Sequence, residues 1–142
     1  MTDATTTHPY PPPIPGARPV LAVMSDLLFR SKIDEVARRL GLPLRVAKSV
    51  EQLDRHLTRE APSIALVDLE ADSLDVADAI RRIKASEHGT RVPIIGFASH
   101  TNIPAIEAGR AAGATVVLAR GGLASQLPAL LGKVAEGERR ES

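Results

Sequence analysis

Five short apolar runs alternate with amphipathic stretches along this chain, and that alternation constrains the fold more than any other feature. The runs are PVLAVMS (19–25), LRVAK (44–48), SIALVDL (63–69), VPIIGFA (92–98) and TVVLA (115–119). Each has the length of a strand. The first, third, fourth and fifth are almost unbroken in apolar residues, the mark of parallel strands buried on both faces. Between them the period changes to that of a helix. LLFRSKIDEVARRL (27–40) puts Phe29, Ile33, Val36, Ala37 and Leu40 on one face, and Gly41 stops it. Ser49 and Gln52 form a capping-box pattern that opens a second helix through about Glu60. Asp72 or Ser73 caps a third, which turns Val76, Ala79, Ile80 and Ile83 inward. NIPAIEAGRAAGA holds a fourth, with Pro104 in its first turn, where a missing N–H does no harm. The last is expected to start near Ser125, with Pro128 in its first turn, and to end near Ala135.

Strands alternating with helices predict an α/β fold: a doubly wound, five-stranded parallel sheet with right-handed crossovers and helices on both faces. One such unit, spanning 19–135, takes up nearly all of the 142 residues. Residues 1–18 are rich in Thr and Pro and are expected to form a disordered tail. Residues 136–142, from EGERRES, are expected to be a second one. The PPPIP segment favours polyproline II and is a candidate for an aromatic groove, although composition alone fits a plain solvated tail.

Composition removes several function classes. A net charge of +1 gives no field that argues for nucleic acid or membrane. Without cysteine there is no disulfide frame and no thiolate chemistry. The four histidines (His8, His56, His88, His100) lack metal-site spacing. Outside the tail the only aromatics are Phe29 and Phe97, too few for flavin sandwiching or base stacking. There is no GxGxxG or Walker pattern and no Gly-x-Ser-x-Gly elbow. The opening residues lack the order of a signal peptide, and no apolar run nears the roughly 20 residues of a membrane span. The expectation is a soluble, cytoplasmic protein.

In a doubly wound sheet the functional crevice lies beyond the carboxyl ends of the strands. The residues that leave the strands there are Met24, Ser25 and Asp26, then Asp68, then Ala98, Ser99 and His100, then Arg120 and Gly121. ALVDLE, VPIIGFASH and AGATVVLARG, in that order, resemble the phospho-acceptor strand and the fourth and fifth strands of the response-regulator receiver domain. The resemblance covers about 19–134 and implies strand order 2-1-3-4-5.

By this resemblance Asp68 stands at the phospho-acceptor position. In the family two acids after the first strand join the acceptor Asp in holding Mg2+, a Lys and a Thr or Ser bind the phosphoryl group, and an aromatic on the fifth strand switches the partner face. Here the matching positions read Met24 and Ser25 for the acids, Ala98 for the hydroxyl, Arg120 for the lysine and Val117 for the switch. Asp26 falls one residue late and is either a helix cap or a remnant metal ligand. Ser99 follows the hydroxyl position and reads as a loop serine. Gly121 replaces the usual proline. These departures imply a degenerate pocket in which Asp68 pairs with Arg120, with Glu70 and Asp72 as loop and cap residues.

The function implied is that of a non-enzymatic pseudo-receiver in a two-component pathway. It would act through contact with a protein partner, with weak or absent phosphorylation and no cofactor. The expected partner face is the fourth helix, fifth strand and fifth helix, through Ile106, Glu107, Arg110 and Leu123, which is also the candidate face for a homodimer. The alternative is a working single-domain response regulator phosphorylated on Asp68, with Mg2+ held by Asp26 and Asp68.

Overall fold

The computed structural model describes residues 10–141. Five parallel strands run in the order β2-β1-β3-β4-β5. They are β1 (Val20–Val23), β2 (Leu44–Ala47), β3 (Ile64–Asp68), β4 (Ile94–Ala98) and β5 (Val116–Ala119). Four helices cross between them, α1 (Leu27–Arg39), α2 (Val50–Arg59), α3 (Val76–Ala85) and α4 (Ile103–Ala112), and α5 (Arg120–Glu141) follows the last strand. No helix among the described residues is long and apolar enough to cross a membrane.

The period of two along each strand sorts the core into two halves. Val20, Ala22, Met24, Ile64, Leu66, Ile95 and Phe97 pack with Phe29, Ile33 and Ala37 of α1 and with Leu123, Leu127, Leu131 and Ala135 of α5. The alternate residues, among them Leu21, Val23, Ala65, Val67, Ile94 and Ala98, pack with Leu53 of α2 and with Ala79, Ile80 and Ile83 of α3. β1, β3 and β4 are buried throughout, as apolar central strands should be. β5 departs from the sequence expectation. It lies at the edge that the order 2-1-3-4-5 gives it, but its apolar run is not buried on both faces: Val116 and Ala119 are exposed.

Two helix starts also differ from the expectation. α3 is capped by Asp75, which accepts from Asp78 N, and not by Asp72 or Ser73. The chain first carries Leu74 into the α3-side core, and the helix starts after it. α5 follows β5 directly, so Gly121 and Gly122 lie in its first turn and Pro128 lies inside it. The apolar stripe Leu123, Leu127, Leu131, Ala135 repeats every four residues and sets the start of the helix by burial, against the low propensity of the two glycines.

The described part of the expected N-terminal tail, from Tyr10, packs on the domain, and residues 1–9 lie outside the described residues. Ile14 is buried, and its N–H donates to Gly41 O at 2.9 Å. The Tyr10 hydroxyl donates to Glu35 Oε1 at 2.6 Å. The expected C-terminal tail instead continues α5 through Glu141, and Glu138 is buried. Arg18 meets it with four bonds, N to Oε1 at 2.7 Å, Nε to Oε2 at 3.1 Å and to Oε1 at 3.4 Å, and Nη2 to Oε2 at 2.7 Å. A strap with few apolar side chains cannot fold alone, but it can dock on a core that already exists. The partner requirement of a buried carboxylate helps to fix it there.

Candidate functional site

The carboxyl ends of the strands gather the singled-out residues in a single cluster around Arg120. Asp68 ends β3 with the same facing as Ile64 and Leu66, and it is 4% exposed. Its Oδ1 accepts from Glu70 N at 2.9 Å and from Arg120 Nη2 at 3.0 Å. The same Nη2 donates to Glu70 Oε1 at 3.2 Å. Arg120 Nη1 lies 3.6 Å from Asp26 Oδ2; it is buried and makes no hydrogen bond.

The guanidinium is also held from below. Its Cζ lies 5.0 Å from the Phe97 ring centre and 5.6 Å from that of Phe29. The two rings meet edge to face, 4.9 Å apart. A planar, delocalised cation suits this seat, because it stacks on rings and still points its N–H groups at carboxylates. The scarcity of aromatics therefore hides a use for the two that the globular part has.

Glu70 is more than a loop residue. Its Oε1 also accepts from Ser99 N at 3.0 Å, and its Oε2 accepts from Asn102 Nδ2 at 2.9 Å. Asn102 is in turn the N-cap of α4 and accepts from Ala105 N. These bonds, Asn102 first, then Ser99 and Arg120, outweigh desolvation and hold the Glu70 carboxyl below its ordinary pKa. Glu70 thus ties the ends of β3, β4 and β5 together. The sequence offered one signal for it, a second acid two residues beyond Asp68 on a chain leaving the sheet.

Asp26 is a helix cap. Its Oδ1 accepts from Leu28 N at 3.0 Å and Phe29 N at 3.2 Å. Met24 is fully buried in the α1/α5 core, and Ser25 is exposed. Ala98 is buried and has no hydroxyl to offer, while Ser99 Oγ bonds Thr101 Oγ1 at 2.9 Å. His100 and Asp72 are exposed. Val117 is half-buried against the α3-side core.

On the expected partner face, Glu107 and Arg110 are exposed. Leu123 is not a surface residue: it is fully buried on the inward face of α5. Ile106 is half-buried and packs on the α3-side core. Gly109 and Ala112 of α4 are buried, and a side chain added at Gly109 would meet Leu69.

Mg2+ takes six oxygens at about 2.0–2.1 Å in octahedral order. The residues present do not fit it. Arg120 already stands among Asp26, Asp68 and Glu70 at 3.0–3.6 Å. The acid places before Asp26 hold a buried thioether and a serine, and a thioether is no ligand for a hard cation. Among the described residues no group of three or more His, Asp or Glu is arranged to hold a metal ion.

No family model matches the chain. No curated protein matches it by sequence. Solved structures do. The receiver domain of a sensor histidine kinase from Pseudomonas aeruginosa, with magnesium coordinated in its active site cleft, is 26% identical at a TM-score of 0.71, over 85% of this chain and 99% of that one. The chemotaxis response regulator CheY4 of Vibrio cholerae is 17% identical at 0.69, over 83% of this chain and 98% of that one. NtrX from Brucella abortus is 17% identical at 0.70, but the match spans 88% of this chain and only 28% of that longer one. With its strand order and these likenesses, the chain has the fold of a response-regulator receiver domain.

Proposed function

We propose that this protein is a pseudo-receiver, a signalling module of receiver fold that works through protein contact and does not depend on phosphorylation of Asp68. The observation that carries this reading is the seat of Arg120. Its guanidinium occupies the space between Asp26, Asp68 and Glu70 that a divalent ion and an incoming phosphoryl group would need. Phosphoryl transfer depends on positioning and charge neutralisation at the acceptor. Here the neutralising charge is a fixed side chain stacked on Phe97, and the oxygen of Asp68 nearest to it already accepts two bonds. Attack by Asp68 would first require that pair to open. Ala98 supplies no hydroxyl for the transferred group, and Val117 supplies no ring to relay its arrival.

The test is amide NMR of the full chain with Mg2+ and beryllofluoride, which mimics the phosphoryl group on Asp. The expected spectrum is unchanged around Asp68, Ser99 and β5. Large saturable shifts there would favour the alternative, a working phospho-acceptor at Asp68. The partner face that suits the module best is α4–β5, through Glu107, Arg110 and the exposed Val116.

A further inference from the structure

The opposite edge of the sheet carries a recess that the site at Arg120 does not use. Two adjoining hollows of about 310 and 530 Å³ lie along β2 between α1 and α2, and they share Arg30, Val46 and His56. The smaller is lined by these three with Lys48, Gln52 and Arg55, and no carboxylate lines it. Among the described residues no carboxylate pairs with Arg30, Lys48 or Arg55. Three uncompensated cations meet there on a chain whose net charge is only +1.

The neutral polar groups are set the same way. Gln52 Oε1 accepts from Lys48 N at 2.8 Å, which leaves its amide N–H groups to donate. His56 Nε2 lies 3.0 Å from Val46 O, so its N–H is spent within the wall and is not offered to a ligand. The Gln52 amide and the three cations therefore present donors and positive charge, and the wall selects an anionic acceptor.

The edge of β2 does not invite strand addition. Val46 O is taken by His56, and Leu44 O accepts from Arg45 Nη1 at 3.2 Å. An incoming strand would find these carbonyls engaged. The larger hollow adds Leu27 and Leu44 as an apolar wall, and Leu27 is 65% exposed. Its own charges are largely matched, Arg38 by Asp34 at 2.9 Å and Arg45 by Glu60 at 3.8 Å. The groove thus has unpaired cations at one end and apolar stems along the other. It is elongated and open, which suits an extended chain better than a compact small anion.

We propose that this groove docks an acidic, extended segment of a partner protein. Its carboxylates would meet Arg30, Lys48 and Arg55, and an apolar side chain would lie on Leu27 and Leu44. The assignment rests on the reading of the chain as a protein-contact module. Its readout is independent of Asp68: phosphorylation of Asp68 would overturn the pseudo-receiver and leave this groove standing.

The probe is a short fluorescein-labelled peptide of repeating Glu-Asp-Leu, titrated with the full chain and read by anisotropy. Binding should weaken as salt rises. Arg30→Gln, Lys48→Gln and Arg55→Gln should each weaken it about three- to fivefold, the scale of one exposed charge contact. Leu27→Ser should weaken it too. Arg81→Gln and Lys133→Gln, which remove equal charge elsewhere, should leave it unchanged. Equal losses from the groove and control variants would reduce the effect to net charge and overturn the proposal. So would binding that ignores all three groove variants. Full displacement by equimolar pyrophosphate would overturn it in favour of a small-anion site.

Discussion

Arg120 Nη2 stands 3.0 Å from Asp68 Oδ1, and the same guanidinium lies over the ring of Phe97. Asp68 is almost wholly buried, whereas the Arg120 side chain is about a third exposed. Removing the cation leaves a buried carboxylate unpaired. Truncating one partner of a fully buried pair costs about 3–5 kcal/mol, and the partial exposure of this one brings the expected cost of Arg120→Ala to about 2 kcal/mol. Urea unfolding measures it. Adding Asp68→Asn to that variant should recover part of the loss, because it removes the stranded charge. Arg120→Lys should recover little, since an ammonium neither stacks nor forks. A double variant no more stable than Arg120→Ala would mean that Asp68 does not feel the guanidinium.

The Arg18–Glu138 pair makes stability depend on pH, with a definite sign. Burial pushes the Glu138 carboxyl up, and the bonds from Arg18 more than reverse this, so it titrates below its ordinary value of 4.5 in the folded chain. The unfolded chain therefore takes up its proton first. The contribution is complete above about pH 4.5 and is lost as pH falls through the lowered folded value. Arg18→Gln should cost about 1–2 kcal/mol at neutral pH, since it removes charge-assisted bonds that are half open to water. The gap between variant and wild type should narrow as pH falls below about 4.5 and close once the carboxylate is protonated in both states. Urea midpoints across that range decide it. A gap that stays constant would assign the loss to packing of the Arg18 stem.

Asp75 caps α3 through Asp78 N at 3.1 Å, and Asp72 is an exposed residue of the preceding turn. Asp75→Ala should therefore cost about 1 kcal/mol and Asp72→Ala nearly nothing. Thermal unfolding of the two variants side by side separates them. Equal losses would place a stabilising role on the turn itself.

What the sequence made legible follows from which residues had a single physical option. The central strands were readable because runs rich in Ile, Val and Leu, such as Ile64–Val67, have no helical stripe and must be buried on both faces. The pairing of Asp68 with Arg120 was readable because the central strand ends converge at one crevice, and Arg120 is the cation that leaves the strands beside β3. The burial of β5 was misread because an apolar run cannot say how far helices cover the two faces of an edge strand. Leu123 was misread with it: starting α5 five residues late, at Ser125, put a core residue in a loop. The strap was illegible for another reason. Its order comes from Glu138 and Gly41, far away in sequence, and not from its own composition. Glu70 was undervalued because its partners, Ser99 and Asn102, come from a different strand end.

The glycines of α5 give the sharpest test of that misreading. Gly121, Gly122, Gly132 and Gly137 all lie in this helix, and a Cβ at any of them would meet nothing within 4 Å. None has a positive φ. Each therefore weakens the helix without serving a turn or a close approach, and replacing it by alanine should stabilise by about 0.5–1 kcal/mol, through lower entropy of the unfolded chain. Gly89 is the control. A Cβ there would collide with the backbone carbonyls of Ile83 and Lys84, which cannot swing aside as a side chain can. Gly89→Ala should lose about 1–3 kcal/mol. Urea unfolding of Gly121→Ala and Gly122→Ala then reports where the helix starts. If Arg120 opens α5, both variants gain stability; if the segment 120–124 were a loop, as the sequence suggested, neither would gain from helix propensity and the amide exchange of Leu123 and Ala124 would stay fast.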